Sequence, residues 1–588
     1  MLPPQDLAMS RTTFATGLLL PTLLAALPAC EDSEPPCTQM VCGTTCVDLM
    51  IDPANCGMCG RGCVSGETCV AGACQGMAAC TGPEIECGGG CVDPQTSPAH
   101  CGDCATACST GTSCVAGDCA EPLAVLQTSL MDGTVGRDAF VLDDVTFALR
   151  ALNTTTFATG RVLDHAVLPD GRVILLAAET ADVFELFLVG PRGGAWTRLS
   201  APLATDVDVE PGFAVSADGA HVLYRATDLD VGVTELFVVA VASPGVAHKV
   251  NGALVTGGNV SRVFALSADG RRAAYVADQD TDGLDEAYTV DLTAATPGPS
   301  VKLNPVTTDA VWDLRLSGDG SRVVYRATDG ATGRLQLNLV DVASPGTATP
   351  IAYADGAEGQ VEQYQLSPTG DAVVFTGGNQ FLATSLWRAP LAPLAEATRL
   401  VDGTGQLSVR ADFALSADGA RVYLRQVDGG YDRLFRVAVA APLALTPLTP
   451  LATDAADEVT DFVVSPDERS VAYRAGADGA EGGISQPETA GPLPPRAFAP
   501  ALYHLALGAT LGDPTQLSPA IDVADEGIGA GYRFAGDGVR VLYRADHDQP
   551  TFADAYLASV ATAGAPRKVS PPLDQTSDAT DVSLITAY

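Results

Sequence analysis

The chain has 588 residues, 47% of them hydrophobic and 18% charged, which supports a large buried core and excludes a disordered chain. Acids outnumber bases 71 to 33, for a formal net charge of -38. That balance excludes a protein that holds nucleic acid by tracking its phosphates. Aromatic residues make up 6% of the chain, beside 60 glycines and 39 prolines, a composition of short strands and turns rather than long helices.

In chain order, the first feature is an uncharged apolar run, FATGLLLPTLLAAL, from Phe14 to Leu27, preceded by Arg11. It is short for a membrane span and has the length of a signal-peptide core. It ends in Leu27-Pro28-Ala29-Cys30, which resembles a bacterial lipobox, with Pro28 a less usual member. The resemblance implies that residues 1–29 are a lipoprotein signal peptide, that Cys30 is lipidated on sulfur, and that 30–36 form a tether. The expected address is the bacterial cell envelope, lipid-anchored and facing the periplasm or the cell surface.

All 17 cysteines fall between residues 30 and 119, and setting Cys30 aside leaves an even sixteen, as a closed disulfide framework requires. They form two octets: Cys37, Cys42, Cys46, Cys56, Cys59, Cys63, Cys69, Cys74, then Cys80, Cys87, Cys91, Cys101, Cys104, Cys108, Cys114, Cys119. From the second cysteine onward the gaps are 3, 9, 2, 3, 5 and 4 residues in both, so one module is repeated over 37–74 and 80–119. CVDLMIDPANCGMCGRGC and CVDPQTSPAHCGDCATAC resemble the cysteine-rich repeat of the stigma-specific protein family, which also occurs in bacterial surface proteins. The second copy departs from the first in having His100 for Asn55 and no Gly after its CGDC. The CxxC pairs share their spacing with zinc, iron–sulfur and dithiol sites. An exported segment poor in apolar core needs covalent staples instead, so all sixteen are expected in disulfides, of undetermined pairing, in a compact stalk.

Residues 120–588 are expected to form an all-β propeller. From about residue 160 a unit recurs: a strand, Ser-x-Asp-Gly or a variant, an alternating strand ending in Tyr-Arg-Ala, an acidic turn, and a third strand. The third motif position falls at Asp170, Asp218, Asp269, Asp319, Thr369, Asp418, Asp467 and Asp537, with intervals of 48, 51, 50, 50, 49, 49 and 70. A period near 50 with several strands per unit is a propeller signature, and eight turns predict eight blades. The Asp-Gly pair forms the turn between the first two strands, with Gly at positive φ and Asp accepting from local N–H groups. The unit resembles the TolB-like, WD-like propeller repeat, usually read as SPDG before a V-x-Y strand; Ser465-Pro466-Asp467 keeps the proline, while Glu468 replaces the glycine. That resemblance implies a fold and a habit of binding, and carries over no catalytic residue. The end of the chain, Thr580-Asp581-Val582-Ser583-Leu584-Ile585, matches a first strand. It is expected to share a closing blade with strands from residues 123–158. The long seventh interval places an insertion at Gly476 to Pro500, expected as a projecting loop on the acidic face.

The turns between second and third strands supply Asp228, Asp230, Asp278, Asp280, Asp282, Asp285, Asp329, Asp428, Asp546 and Asp548. The connections between units supply Asp206, Asp208, Asp309, Asp313, Asp454, Asp457, Asp461, Asp522 and Asp525. Both sets lie on one face of a propeller, so the charge is expected on one rim, open to cations or basic partners. Asp278, Asp280, Asp282 and Asp285 alternate around Gly283; the run resembles the start of an EF-hand-type loop and implies calcium as a cofactor. It lacks the terminal Glu. The six histidines fall in no metal or nucleophile motif, and neither a G-x-S-x-G elbow nor a Walker loop occurs. The expected function is a non-catalytic binding or scaffolding module for an envelope or extracellular protein or glycan, with no nucleic acid. The alternative is a carbohydrate-acting enzyme using acidic residues of one propeller face.

Overall fold

A computed structural model describes most residues from Met40 to Leu584. Residues 1–39, 77–84, 131–137, 144–148, 153–161, 477–500, 521–527, 546–553, 571–576 and 585–588 lie outside the described residues, as do shorter stretches between them. Cys30, Cys37, Cys80, Cys108, Asp537 and the insertion beyond Gly476 are among those left outside. The chain divides into two compact units, residues 1–91 and 92–588, the boundary falling inside the second cysteine repeat.

The first unit is covalent in its logic. Strands Met40–Cys42 and Thr45–Val47 pair, as do Glu67–Val70 and Ala73–Gly76, and disulfides join Cys42 to Cys59, Cys56 to Cys69, and Cys63 to Cys74. Gly57, the glycine of CGMC, has φ +76, and a Cβ there would sit 2.3 Å from the carbonyl oxygen of Gly72. Any side chain would force the two loops apart. The second copy keeps the same backbone bonds. Cys56 N–H donates to Arg61 O and Gly57 N–H to Leu49 O; Cys101 N–H donates to Thr106 O and Gly102 N–H to Pro94 O, all at 2.8 Å. Where the copies differ, the polar contact differs. Asn55 Oδ1 accepts from Gly60 N–H at 2.8 Å, whereas His100 Nδ1 lies 3.0 Å from Cys104 O.

The second unit is all-β among its described residues. It contains nine antiparallel sheets of four or five strands, seven of them in simple chain order. Eight carry the motif turn; the sheet around Ser216, for example, holds Val207–Val209, Ala214–Val215, His221–Asp228, Val233–Ala240 and Ala247–Lys249. The ninth takes Pro122–Leu130, Asp138–Asp143 and Leu149–Ala151 from near the start of the unit and Ser577–Leu584 from its end. Ser577–Leu584 runs antiparallel to Pro122–Leu130, with Val582 opposite Leu126. Both ends of the repeat array thus meet in one sheet.

Each second strand is buried on both faces. Val222 and Tyr224 pack with Leu186 and Leu188 of the preceding sheet, while Leu223 packs with Val260 and Tyr275 of the following one. The closing sheet repeats this: Ala139, Val141 and Leu152 meet Val173 and Leu175 of the first repeat, and Leu142 meets Leu542 and Ala555 of the last. Cross-strand aromatic pairs recur at one register position, Tyr224–Phe237, Tyr275–Tyr288, Tyr473–Tyr503 and Tyr543–Tyr556, with centroids 5.4–5.7 Å apart. Such offset pairs add to the area that the rings bury.

The motif turn is organised by its serine. Ser216, Ser267, Ser317, Ser416 and Ser465 donate Oγ–H to the Asp two residues on, at 2.5–2.7 Å. The same Oγ accepts the N–H of the residue five on, at 2.9–3.0 Å. The serine donation holds Asp218, Asp269, Asp319 and Asp418 below the ordinary carboxylate range. In the fifth copy Thr369 does not replace the aspartate: Asp371 moves into its place, accepting from Ser367 Oγ at 2.7 Å and from Thr369 Oγ1 at 2.5 Å. Glu468, at the glycine position, takes φ 55. Its carboxylate accepts Ala417 N–H of the neighbouring turn at 2.6 Å and pairs with Arg421 at 2.8 Å, which offsets the left-handed backbone of a side-chain-bearing residue. Elsewhere neighbouring turns bond directly, Ala217 N–H to Ala268 O and Ala268 N–H to Gly318 O, each at 2.9 Å.

Ser267 is fully buried. Ser267→Ala removes a donor from Asp269 and an acceptor from Arg272 N–H, so it is expected to destabilise the fold by about 1–3 kcal/mol. Urea unfolding monitored by circular dichroism measures this, and an unchanged midpoint would contradict the role given to the hydroxyl.

Candidate functional site

Hairpin turns between second and third strands and the connections between sheets meet on one face, opposite the serine turns. Phe184 N–H donates to Asp208 Oδ1 at 2.9 Å, Val311 N–H to Asp285 O at 2.9 Å, and Thr234 N–H to Asn259 Oδ1 at 2.8 Å. Each bond joins a hairpin of one sheet to the segment entering the next.

Part of the acidity on this face turns inward, through a residue whose role the sequence left unassigned: the arginine of Tyr-Arg-Ala and its equivalents. Arg474 is 8% exposed. It binds both Asp461 oxygens at 2.6–3.0 Å and donates across the sheet boundary to Ile528 O at 2.8 Å. Tyr532 of the next sheet donates to the same Asp461 at 2.7 Å. Arg425 repeats the pattern with Asp412 at 2.7–2.8 Å, Val459 O at 2.9 Å and Asp432 at 3.1 Å. Arg326 reaches Asp313 at 2.6 Å and Val361 O at 3.3 Å, and Arg225 reaches Glu210 at 3.7 Å and Val260 O at 3.1 Å. Asp461, Asp412, Asp313 and Glu210 sit 13 or 15 residues before their arginine, on or directly after the first strand of the same sheet, whereas Asp432 comes from the third strand. That spacing was visible in the sequence as an acid preceding four of the motif turns, but two of these acids, Asp313 and Asp461, read as rim charge and the other two were left unassigned. Asp313 and Asp461 are instead ion-pair partners at the boundaries between sheets. A second repeated pair links the start of the third strand to the fourth: Glu185 with Arg198, Glu235 with Lys249, Glu286 with Lys302, and Asp554 with Lys568.

The loop read as a calcium site is arranged differently. Asp278 accepts Asn259 N–H on one oxygen and Gly283 N–H at 3.0 Å on the other, so it serves the loop's own backbone. Asp280 lies 3.7 Å from Lys302 Nζ. Asp282 packs against Gly257, where a Cβ would come within 2.8 Å of its carboxylate. Asp285 is half-buried; burial, and secondarily the Asp278 charge, pushes its carboxyl up. Among the described residues no three of these carboxylates converge within ligand distance. The one such group is the sulfur set of Cys56, Cys63 and Cys74, and all three are in disulfides, without the thiolates that bind zinc.

Of the other expected site residues, Cys87, Cys91, Cys101 and Cys104 are disulfide-bonded. Asp228, Asp230, Asp329 and Asp428 sit at the hairpins, Asp228 and Asp329 capping their own turns at Asp230 N–H and Ala331 N–H, each at 3.0 Å. Asp206, Asp309, Asp454, Asp522, Asp525, Asp546 and Asp548 lie outside the described residues. His504 Nε2 lies 3.0 Å from Ser470 Oγ, and burial pushes its pKa down.

The acidic face also carries exposed apolar side chains that the sequence did not lead one to expect: Leu229 (58% exposed), Val231 (69%) and Trp312 (60%), with Leu407 (44%) and Leu451 (54%). Leu229 and Val231 stand on a hairpin, Leu407 and Leu451 on sheet connections, and Trp312 at the start of a first strand. Their sequence signal was slight, a few apolar residues inside Asp-rich turns.

No protein-family model and no curated protein sequence matches the chain. Among solved structures, it is similar to a eukaryotic initiation factor, with TM-score 0.51 and 10% identity over 79% of this chain and 98% of that one. At that identity the likeness is one of fold alone. A prolyl endopeptidase aligns with TM-score 0.39 and 12% identity, over 66% of this chain and 54% of that one. A putative TolB from Agrobacterium tumefaciens aligns with TM-score 0.27 and 16% identity, over 40% of this chain and 79% of that one.

Removing Arg474 leaves Asp461 and Ile528 O without their shared donor. Arg474→Ala is expected to cost about 3–5 kcal/mol, with Arg474→Lys intermediate because the ammonium lacks the fork; denaturant unfolding of the three proteins tests the order. Asp285 carries a raised carboxyl, so its contribution to stability is full below about pH 4 and is lost as pH rises through its folded value. Asp285→Asn is therefore expected to raise the thermal midpoint at pH 7, the advantage vanishing at pH 3. An advantage that grows on acidification would reverse the assignment.

Proposed function

We propose that this chain is a lipid-anchored protein of the bacterial cell envelope whose propeller is a non-catalytic binding or scaffolding module for a protein partner. The observation that carries the reading is the hairpin face, where exposed Leu229, Val231, Trp312, Leu407 and Leu451 stand among carboxylates. Apolar side chains of that size, rimmed by charge, mark interaction surfaces. By chain order, the two cysteine repeats, similar to those of the stigma-specific protein family, form a stapled stalk between lipidated Cys30 and the propeller. The TolB-like character of the repeat adds a habit of binding without a catalytic set.

The carbohydrate-acting alternative has one observation in its favour, the exposed ring of Trp312, which is suited to stacking on a sugar. Against it, Asp412 and Asp432 both bind Arg425, and charges so engaged make a poor general acid and base.

The test places a photo-crosslinking residue at position 231, 312, 407 or 451, and at 341 on the opposite face, in the full chain expressed in a bacterial envelope. A discrete protein adduct from the hairpin face, absent at 341, is expected; adducts at 341 alone would overturn the reading. Cys30→Ala is expected to abolish incorporation of labelled fatty acid and to release the protein from membranes. Undiminished labelling would remove the anchor from the proposal.

A further inference from the structure

The exposed apolar side chains Leu229 and Val231 stand at the hairpin end of the sheet around Ser216, and Trp312 at the same end of the sheet around Ser317, with the sheet around Ser267 between them. The hairpin holding Leu229 and Val231 leads into Thr234, whose N–H donates to Asn259 Oδ1 at 2.8 Å. Asn259 N–H in turn donates to Asp278, in the next hairpin. That hairpin ends at Asp285, whose carbonyl accepts Val311 N–H at 2.9 Å, directly before Trp312. Bonds from backbone N–H groups to Asn259 Oδ1, the Asp278 carboxylate and Asp285 O thus tie the three sheets together at this end, and the row of hairpins from Leu229 to Trp312 is a track held in place before any partner binds.

The occupant follows from charge. Between the apolar ends stand Asp230 and Asp282, both exposed, and neither carboxylate forms an ion pair among the described residues. Asp280 joins them, 51% exposed and only 3.7 Å from Lys302. An acidic partner would meet repulsion, and a purely apolar one would strand carboxylates at its border. We propose that this track docks a cationic amphipathic polypeptide segment, in which Lys or Arg residues lie between apolar anchors that cover Val231 and Trp312. The proposal deepens the binding reading above and rests on it. Trp312 is the expected anchor, since tryptophan is enriched among the few residues that carry most of the binding energy of an interface. Its Nε1–H donates to Thr328 Oγ1 at 3.0 Å, which orients the ring without covering it.

The test uses the full chain and three synthetic twelve-residue peptides, alternating Lys-Leu, Lys-Ser and Glu-Leu. Trp387 is 3% exposed and Trp196 is partly buried against the first repeat sheet, so the blue shift of fluorescence on binding is assigned to Trp312 by its loss in Trp312→Phe. Saturable binding of Lys-Leu is expected, with at least tenfold weaker binding of the other two. Asp230→Asn with Asp282→Asn is expected to weaken Lys-Leu at least tenfold. Asp341→Asn with Glu396→Gln, the same charge change at exposed positions on the other face, is expected to change it less than twofold. Equal weakening by both pairs would mean that Lys-Leu merely senses the net charge of -38, and would overturn the proposal. Binding of Glu-Leu as tight as Lys-Leu, or no binding of Lys-Leu, would overturn it too. A cellular crosslink from position 407 or 451 but not from 231 or 312 would leave the binding face standing and discard this track.

Discussion

Every repeat sheet of the second unit buries both of its faces. A strand such as His221–Asp228, with Val222, Leu223 and Tyr224 all at zero exposure, is stable only with a neighbour on each side. A linear array would leave one such face open at either end, at about 25 cal/mol for each Å² exposed, and with it an unpaired edge. Closure is therefore an energetic requirement of the repeat. The sheet built from Pro122–Leu130, Asp138–Asp143, Leu149–Ala151 and Ser577–Leu584 meets it by tying the two ends of the array with backbone hydrogen bonds.

Polar groups then decide how neighbouring sheets register. Dispersion between Val, Leu and Tyr faces tolerates sliding, whereas a guanidinium that must reach a carboxylate on its own sheet and a carbonyl on the next does not. Arg225, Arg326, Arg425 and Arg474 each make that double connection. On the opposite face the serine turns touch their neighbours through Ala217, Ala268 and Glu468. The sheets are thus pinned at both rims, and the apolar layer between need only fill space. One consequence concerns the large negative charge: carboxylates such as Asp461 and Asp432 are structural, so the acidity available to a partner is smaller than the composition implies and resides in hairpins such as those of Asp230 and Asp282.

The two units solve the same stability problem by different means. The cysteine module has little apolar area to bury, so crosslinks limit the unfolded chain and hold its short strands. Its second copy keeps the backbone bonds of Cys101 and Gly102 although His100 replaces Asn55, which places the constraint in the cysteine spacing and in the CGxC glycine rather than in the intervening side chains.

The period near 50 residues, the strand alternation and the Ser-x-Asp-Gly turns were enough by themselves to determine an all-β propeller, because each is a local property with one backbone solution. The closing sheet was legible for the same reason, Thr580 to Leu584 matching other first strands. Other features were decided only by tertiary structure. Thr369 looks in the sequence like a lost aspartate, yet Asp371 occupies its place, since a turn can supply a carboxylate from either side of its glycine. Asp278, Asp280, Asp282 and Asp285 have the order of a cation loop, yet ligand geometry depends on where each carboxylate is drawn, and Asn259, Lys302 and Gly257 come from elsewhere in the chain. Asp461 and Asp230 are alike as letters in acidic stretches. Only the fold, by bringing Arg474 to Asp461 and, among the described residues, no ion-pair partner to Asp230, separates the residue that holds neighbouring sheets together from the residue left exposed on a hairpin.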